Sequence, residues 1–272
     1  MSSSSFLSAE DCNLAEQFLS DGYVIRKCES MNSLNQLHTS ILEQANEWFA
    51  EHHDVSRITR LADSHRVIPG TAVNELRLRL FARLNANTET RLTYFRLASN
   101  VIQSLVGNEL AMQNKVNLSI QQPLDQSSVL ELHSDVWTGD CPFQVVLWVP
   151  LTDASDTNAM FLLSPSESRV AYQRSREGDL RSMAEIHEAY RTKLRPIEVR
   201  YGEVLLFDSN CLHGNQLNKT NTARWSLNCR FVSLLAPSTT PERRLGSFYS
   251  PIMVRPATLI GLRAIEALGL AD

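Results

Sequence analysis

Apolar positions recur at three-to-four-residue spacing through the first third of the chain and at every second residue further on. Leu14, Phe18 and Leu19 fall at helical spacing between Ser8 and Gly22. Ser8 and Asp11 form a capping-box variant, and Gly22 is placed as a stop. Tyr23-Val24-Ile25 reads as a short strand. Ser33 is placed to cap a second helix carrying Leu34, Leu37, Ile41, Leu42, Ala45 and Phe49. The spacing predicts two further helices over 71–83 and 88–106, the second ended by Gly107.

From Val116 the period becomes two. Residues 116–121 alternate apolar with polar, 143–149 are β-branched and aromatic, 197–200 read as a short strand and 204–207 as a buried apolar run. Residues 224–235 form a long strand-like segment. A charged helical insert is expected over 173–194 and a short helix near 257–268. No repeat or linker divides the chain, so the expectation is one domain over 1–272. It has a mostly helical part (1–107), a β-rich core (108–256) and a C-terminal helix (257–272).

Composition narrows the class. The 272 residues carry 26 Lys and Arg against 30 Asp and Glu, a net charge of −4, which argues against a nucleic-acid binder. No apolar run is long enough for a membrane span, and the start (a Ser run read as a disordered tail) lacks the pattern of a secretory signal. Five cysteines without a CxxC pair argue against a disulfide framework or zinc ribbon and fit a reducing cytoplasm.

Chemistry concentrates in the β-rich part. Of seven histidines, His38, His52, His53, His65 and His187 fall in helices or polar connections and read as surface residues. His133-Ser134-Asp135 ends a strand-like approach, where positions i and i+2 point to one side. A second histidine, His213, follows the apolar run 204–207 beside Gly214. Two histidines and one carboxylate make the facial triad that leaves open positions on Fe(II). Eleven residues on, Arg224 opens a segment whose alternation puts Arg224, Ser226, Asn228 and Arg230 on one face. That face is either a solvated sheet surface or a site for a dicarboxylate, gripped by a guanidinium fork and a hydroxyl.

His133-x-Asp135, His213 and Arg224-x-Ser226 resemble the Fe(II)- and 2-oxoglutarate-dependent oxygenases. With Phe18-Leu19-Ser20-Asp21-Gly22-Tyr23-Val24, they resemble in particular the phytanoyl-CoA dioxygenase-like branch. The segments 133–140, 146–151, 213–215 and 224–228 resemble a bacterial subgroup found with carbohydrate-biosynthesis genes. The resemblance implies a double-stranded β-helix, or jelly roll, preceded by helices. It also implies Fe(II) on His133, Asp135 and His213, 2-oxoglutarate anchored by Arg224 and Ser226, and O2 as the other co-substrate. The expected reaction is hydroxylation of a small molecule with release of succinate and CO2.

Asn117 is the candidate for the 1-carboxylate of 2-oxoglutarate, with a solvated strand side chain as the alternative. Trp137 could wall the iron pocket or stack on a sugar, whereas Trp148 reads as core. Eight arginines against three acids in 55–96 are either a solvated helix face or a lure for an anionic sugar or sugar nucleotide. The loop Ser164-Pro165-Ser166-Glu167 departs from the Pro-Gly-Ser-His frequent in the branch. Two other readings stand beside the oxygenase: a non-catalytic jelly roll that binds metal or sugar, and a cupin-like hydrolase or epimerase with His133 as base.

Overall fold

The computed structural model describes residues 6–52, 57–237 and 240–269, without the His52 side chain. The Ser run at the start and His53 lie outside them. In chain order the elements are α1 (Ala9–Asp21), β1 (Tyr23–Lys27), α2 (Met31–His52), α3 (Val73–Ala86), α4 (Thr90–Phe95), α5 (Ser99–Val106), β2 (Leu110–Gln113) and β3 (Asn117–Gln121). There follow β4 (Gln144–Pro150), β5 (Met160–Leu162), α6 (Pro165–Arg176), α7 (Met183–Tyr190), β6 (Pro196–Ile197), β7 (Glu203–Asp208), β8 (His213–Asn215), β9 (Arg224–Ser233), β10 (Tyr249–Met253) and α8 (Pro256–Ala267).

Two antiparallel sheets form the β-rich part. The larger has seven strands in the order β1-β7-β4-β9-β2-β10, with β3 also paired to β9, and the smaller is β6-β5-β8. Period-two alternation decides what each face of the larger sheet meets. Val145, Leu147 and Val149 of β4, with Trp225, Leu227, Cys229 and Phe231 of β9, pack against Leu37, Ile41, Trp48, Leu76 and Leu80 of the helices. Val146 and Trp148 of β4, with Leu205 and Phe207 of β7, point the other way, toward Met160 and Leu162 of the smaller sheet. Both faces are covered, which is why β4 and β7 read as unbroken apolar runs. Each large side chain so buried contributes roughly 1.5–3 kcal/mol.

Several local expectations need correction. The Ser30 hydroxyl, not that of Ser33, accepts a backbone N–H in the first turn of α2, from Ser33 N itself at 3.3 Å. The segment 88–106 is two helices because Glu29 reaches across and accepts from the N–H groups of Asn100 and Val101 at 3.0 and 3.1 Å. This gives α5 its own capped start. The insert is likewise α6 and α7, α6 beginning early because Ser164 caps it and Pro165 occupies its first turn. His38 is half-buried against the ring of Tyr201, not solvated. None of the five cysteines is in a disulfide. No helix among the described residues is long and apolar enough to cross a membrane.

Candidate metal centre and active-site cavity

A cavity of about 690 Å³ lies between the two sheets, lined by Val146, Trp148, Phe207, Arg224, Asn228 and Arg230 of the larger and by Met160, His213, Gly214 and Asn215 of the smaller. His133 and Asp135 close it from the β3–β4 connection, and Asn74 and Arg77 of α3 reach its rim.

The two histidines are held as a matched pair. His133 N donates to His213 O at 2.9 Å and His213 N to His133 O at 2.8 Å, a two-bond backbone bridge. The bridge needs Gly214, whose Cβ position lies 2.8 Å from the carbonyl oxygen of Leu130. Each ring is then tied to its own chain two residues back. His133 Nδ1 lies 2.8 Å from Glu131 O, and His213 Nδ1 lies 2.9 Å from Cys211 O. A carbonyl can only accept, so both Nδ1 atoms carry a proton and Nε2 is the nitrogen each ring turns to the site.

Those nitrogens face Asp135. Its Oδ1 is 3.8 Å from His133 Nε2 and 3.7 Å from His213 Nε2, and the three ligand atoms lie within 4.8 Å of one another. Donor atoms gathered this closely could hold one metal ion. Burial pushes the His213 imidazole down to about 4, with His133 adding to the effect and Asp135 opposing it, so the ring stays neutral at ordinary pH. Two imidazole nitrogens and one carboxylate oxygen are the donor set that suits a divalent metal of the Fe(II) type.

Arg224 is 3% exposed and makes no ion pair among the described residues. Burial lowers its guanidinium to about 10, which still leaves it charged at neutral pH. It lies 5.7 Å from the Trp148 ring centroid, and its Nη2 is 3.4 Å from Ser119 Oγ. Its Nε and the Ser226 hydroxyl are buried without hydrogen-bond partners. An uncompensated buried cation flanked by orphaned polar atoms is costly unless an anion completes it. A dicarboxylate would do so.

Other predicted residues are placed differently. Ser226 is fully buried and does not line the cavity, whereas Ser119, opposite it on β3, does. Asn117 does not line it either; its amide donates to Asn228 Oδ1 at 3.0 Å, and Asn228 faces the interior. Trp137 lies outside the cavity lining, 45% exposed and edge-on to Tyr172 with ring centroids 5.0 Å apart. The chain enters a 3₁₀ turn at Asp135, and its three-residue period swings Trp137 away from the side that Asp135 occupies. Trp148 is both core and cavity wall. The arginines of 55–96 do not act together. Arg79 and Arg83 pair with Glu51 and Glu47, Arg60 and Arg66 approach Asp63, and Arg77 faces the cavity.

A chain of ion pairs lies behind Asp135. Arg230, on the same face as Arg224, holds Asp135 Oδ2 through Nη2 at 2.8 Å and Asp140 Oδ2 through Nε at 2.8 Å. Asp140 in turn takes Arg243 Nε at 2.9 Å. Alternation along β9 was the available signal for Arg230; nothing local marked Asp140 or Arg243.

These features define a jelly-roll protein in which two histidines and one carboxylate could hold a metal ion beside a buried arginine. The model of the phytanoyl-CoA dioxygenase (PhyH) family matches residues 15–226, and the chain belongs to that family, within the Fe(II)- and 2-oxoglutarate-dependent oxygenases. No curated protein matches it in sequence. Among solved structures, the nickel complex of the non-heme monooxygenase ThoJ is 17% identical with a TM-score of 0.55, covering 93% of this chain and 96% of its own. HygX from Streptomyces hygroscopicus, with nickel and 2-oxoglutarate bound, is 17% identical (TM-score 0.51, coverage 91% and 98%). EctD from S. alaskensis with bound Fe is 20% identical (TM-score 0.52, coverage 89% and 82%).

Proposed function

We propose that the chain hydroxylates a carbohydrate or sugar-derived small molecule, using Fe(II), O2 and 2-oxoglutarate and releasing succinate and CO2. The observation that carries the oxygenase reading is the convergence of His133 Nε2, His213 Nε2 and Asp135 Oδ1 beside an uncompensated Arg224. The ligands of the HygX and EctD structures, nickel with 2-oxoglutarate and iron, match this donor set.

His133, Asp135 and His213 would hold the iron, which when bound supplies O2 activation coupled to 2-oxoglutarate decarboxylation. The protein's contribution is geometry and dryness. The backbone bridge fixes the two imidazoles, the carbonyl tethers fix their tautomers, and Val146, Trp148, Met160 and Phe207 exclude water. Arg224 grips the distal carboxylate, with Ser119 beside it and Ser226 behind. Asn228, braced by Asn117, is placed to donate to the other end of the co-substrate.

The carbohydrate reading rests on the resemblance of 133–140, 146–151 and 224–228 to the carbohydrate-cluster subgroup. Polar groups at the rim support it: Asn74, Arg77, Ser127 and Ser128 would face a hydroxylated or anionic substrate. Trp137 no longer contributes to it. The test is succinate release from 2-oxoglutarate by the Fe(II)-loaded protein, screened over sugars, sugar phosphates and sugar nucleotides. Stimulation by one of these, with a product heavier by one oxygen, is the expected result. Stimulation confined to lipids or free amino acids would overturn the substrate class. No succinate under any condition would overturn the oxygenase in favour of a binding protein.

A further inference from the structure

Arg230 lies beyond the last residue matched by the family model, residue 226, yet it touches the candidate metal ligand more closely than any other cation. Its Nη2 and Nε lie 2.8 and 3.1 Å from Asp135 Oδ2. Nε also meets Asp140 Oδ2, and Nη1 donates to Gln113 Oε1 at 3.3 Å. The side chain is 16% exposed, and those of its two carboxylate partners are 5% and 2% exposed. The Asp135 carboxylate is thus divided: Oδ1 faces both histidine nitrogens and Oδ2 faces the guanidinium.

We propose that Arg230 is a positioning residue that restricts Asp135 to single-oxygen ligation and so keeps one coordination position open for reactants. The inference rests on the metal-site reading above. Two ring nitrogens and one oxygen leave three positions on a six-coordinate ion. A 2-oxoglutarate bound through its 1-carboxylate and 2-oxo group takes two, and O2 needs the third. Carboxylates ligate through one oxygen or two, and a second Asp135 oxygen would close the position O2 requires. A guanidinium engaging Oδ2 through two nitrogens opposes that swing. Lysine, a point charge on a flexible stem, would restrain it less. Asp140 and Gln113 hold the guanidinium from behind.

The test compares Arg230→Gln, Arg230→Lys and Arg243→Gln with the unmodified protein. Ni(II) affinity is measured by calorimetry, and the visible spectrum is recorded for the Co(II)-loaded, 2-oxoglutarate-bound protein. Metal-free Tm is followed alongside. Arg230→Gln is expected to weaken Ni(II) binding 10- to 100-fold and to alter the Co(II) spectrum, with Arg230→Lys intermediate in both. Arg243→Gln, which breaks the same ion-pair chain one link away, is expected to lower Tm and leave the spectrum unchanged. An unmodified Co(II) spectrum in Arg230→Gln overturns the proposal, whatever happens to Tm. Should that variant not fold, Arg230→Lys decides alone, and wild-type spectrum and affinity there overturn it. Failure of the unmodified protein to bind Ni(II) or Co(II) would sink the metal-site reading itself, a different result.

Discussion

The carbonyl oxygen of Leu130 sits where a side chain on residue 214 would have to start. Only glycine lets β8 approach the 130–133 segment so closely, because a Cβ there would also stand 3.1 Å from Glu131 O. Both neighbours are backbone atoms and cannot swing aside. Gly214→Ala should therefore push the two histidines apart, lower stability by about 1–3 kcal/mol and weaken Ni(II) binding at least tenfold. Gly70, with nothing near its Cβ position, supplies the control: Gly70→Ala should change neither. Calorimetry and thermal melts on the two variants check this, and equal Ni(II) affinity in both would mean that the bridge does not set the site.

Metal should stabilise the native state by mass action. At a hundredfold excess over Kd the gain is about 2.7 kcal/mol, visible as a higher Tm that a chelator reverses. His213→Ala should abolish the metal-dependent part of the melt, because a buried ligand is removed and the remaining two cannot enclose the ion. A metal-induced shift that survives in His213→Ala would place the binding elsewhere on the chain.

Arg224→Leu should leave metal binding intact and weaken 2-oxoglutarate binding by about 2–5 kcal/mol, the cost of a carboxylate facing a pocket without its partner. Arg224→Lys should recover part of that loss, since one-point contact replaces a fork. Titration of 2-oxoglutarate into the Ni(II) protein measures it directly. Unchanged affinity in Arg224→Leu would assign the anion site to another cavity arginine, Arg77 before Arg230, whose guanidinium is already held by Asp135 and Asp140.

Arg77 is also the rim arginine positioned to attract an anionic substrate. Its described partner is Asn74 Oδ1 at 2.7 Å, a neutral group. For an anionic substrate, kcat/KM should fall as ionic strength rises, and Arg77→Gln should flatten that dependence. Arg79→Gln and Arg83→Gln, which only break pairs with Glu51 and Glu47, should not. Identical salt profiles in Arg77→Gln and the unmodified enzyme would remove the anionic requirement.

The donors of the site were legible because each sits in a local pattern: two residues apart on extended chain, after an apolar strand, or on alternate positions of β9. The same alternation turns Trp225, Leu227, Cys229 and Phe231 to the opposite face, which in the folded chain packs against the helices. What escaped depends on distant segments meeting. Asp140 and Arg243 are a hundred residues apart and converge only through the folded sheet. The break between α4 and α5 is imposed by Glu29, some seventy residues upstream. Trp137 lies elsewhere for a different reason: the backbone enters a 3₁₀ turn at Asp135, so a spacing of two from that carboxylate no longer means the same side. The short strands β2, β5 and β10 are too brief to show a period at all.

The backbone bridge between His133 and His213 has a kinetic corollary. The candidate ligands sit on two segments far apart in sequence, joined in the main chain by the pair of bonds those residues exchange and by Asn215 N–H donating to Leu130 O at 2.9 Å. An ion held by both side chains rivets the segments together, so neither can peel away while the other stays. Amide protons of residues 130–135 and 213–215 should then exchange with solvent as one block when metal is present and separately when it is stripped. The loop that closes the cavity would owe its rigidity to the same ion that awaits the reactants.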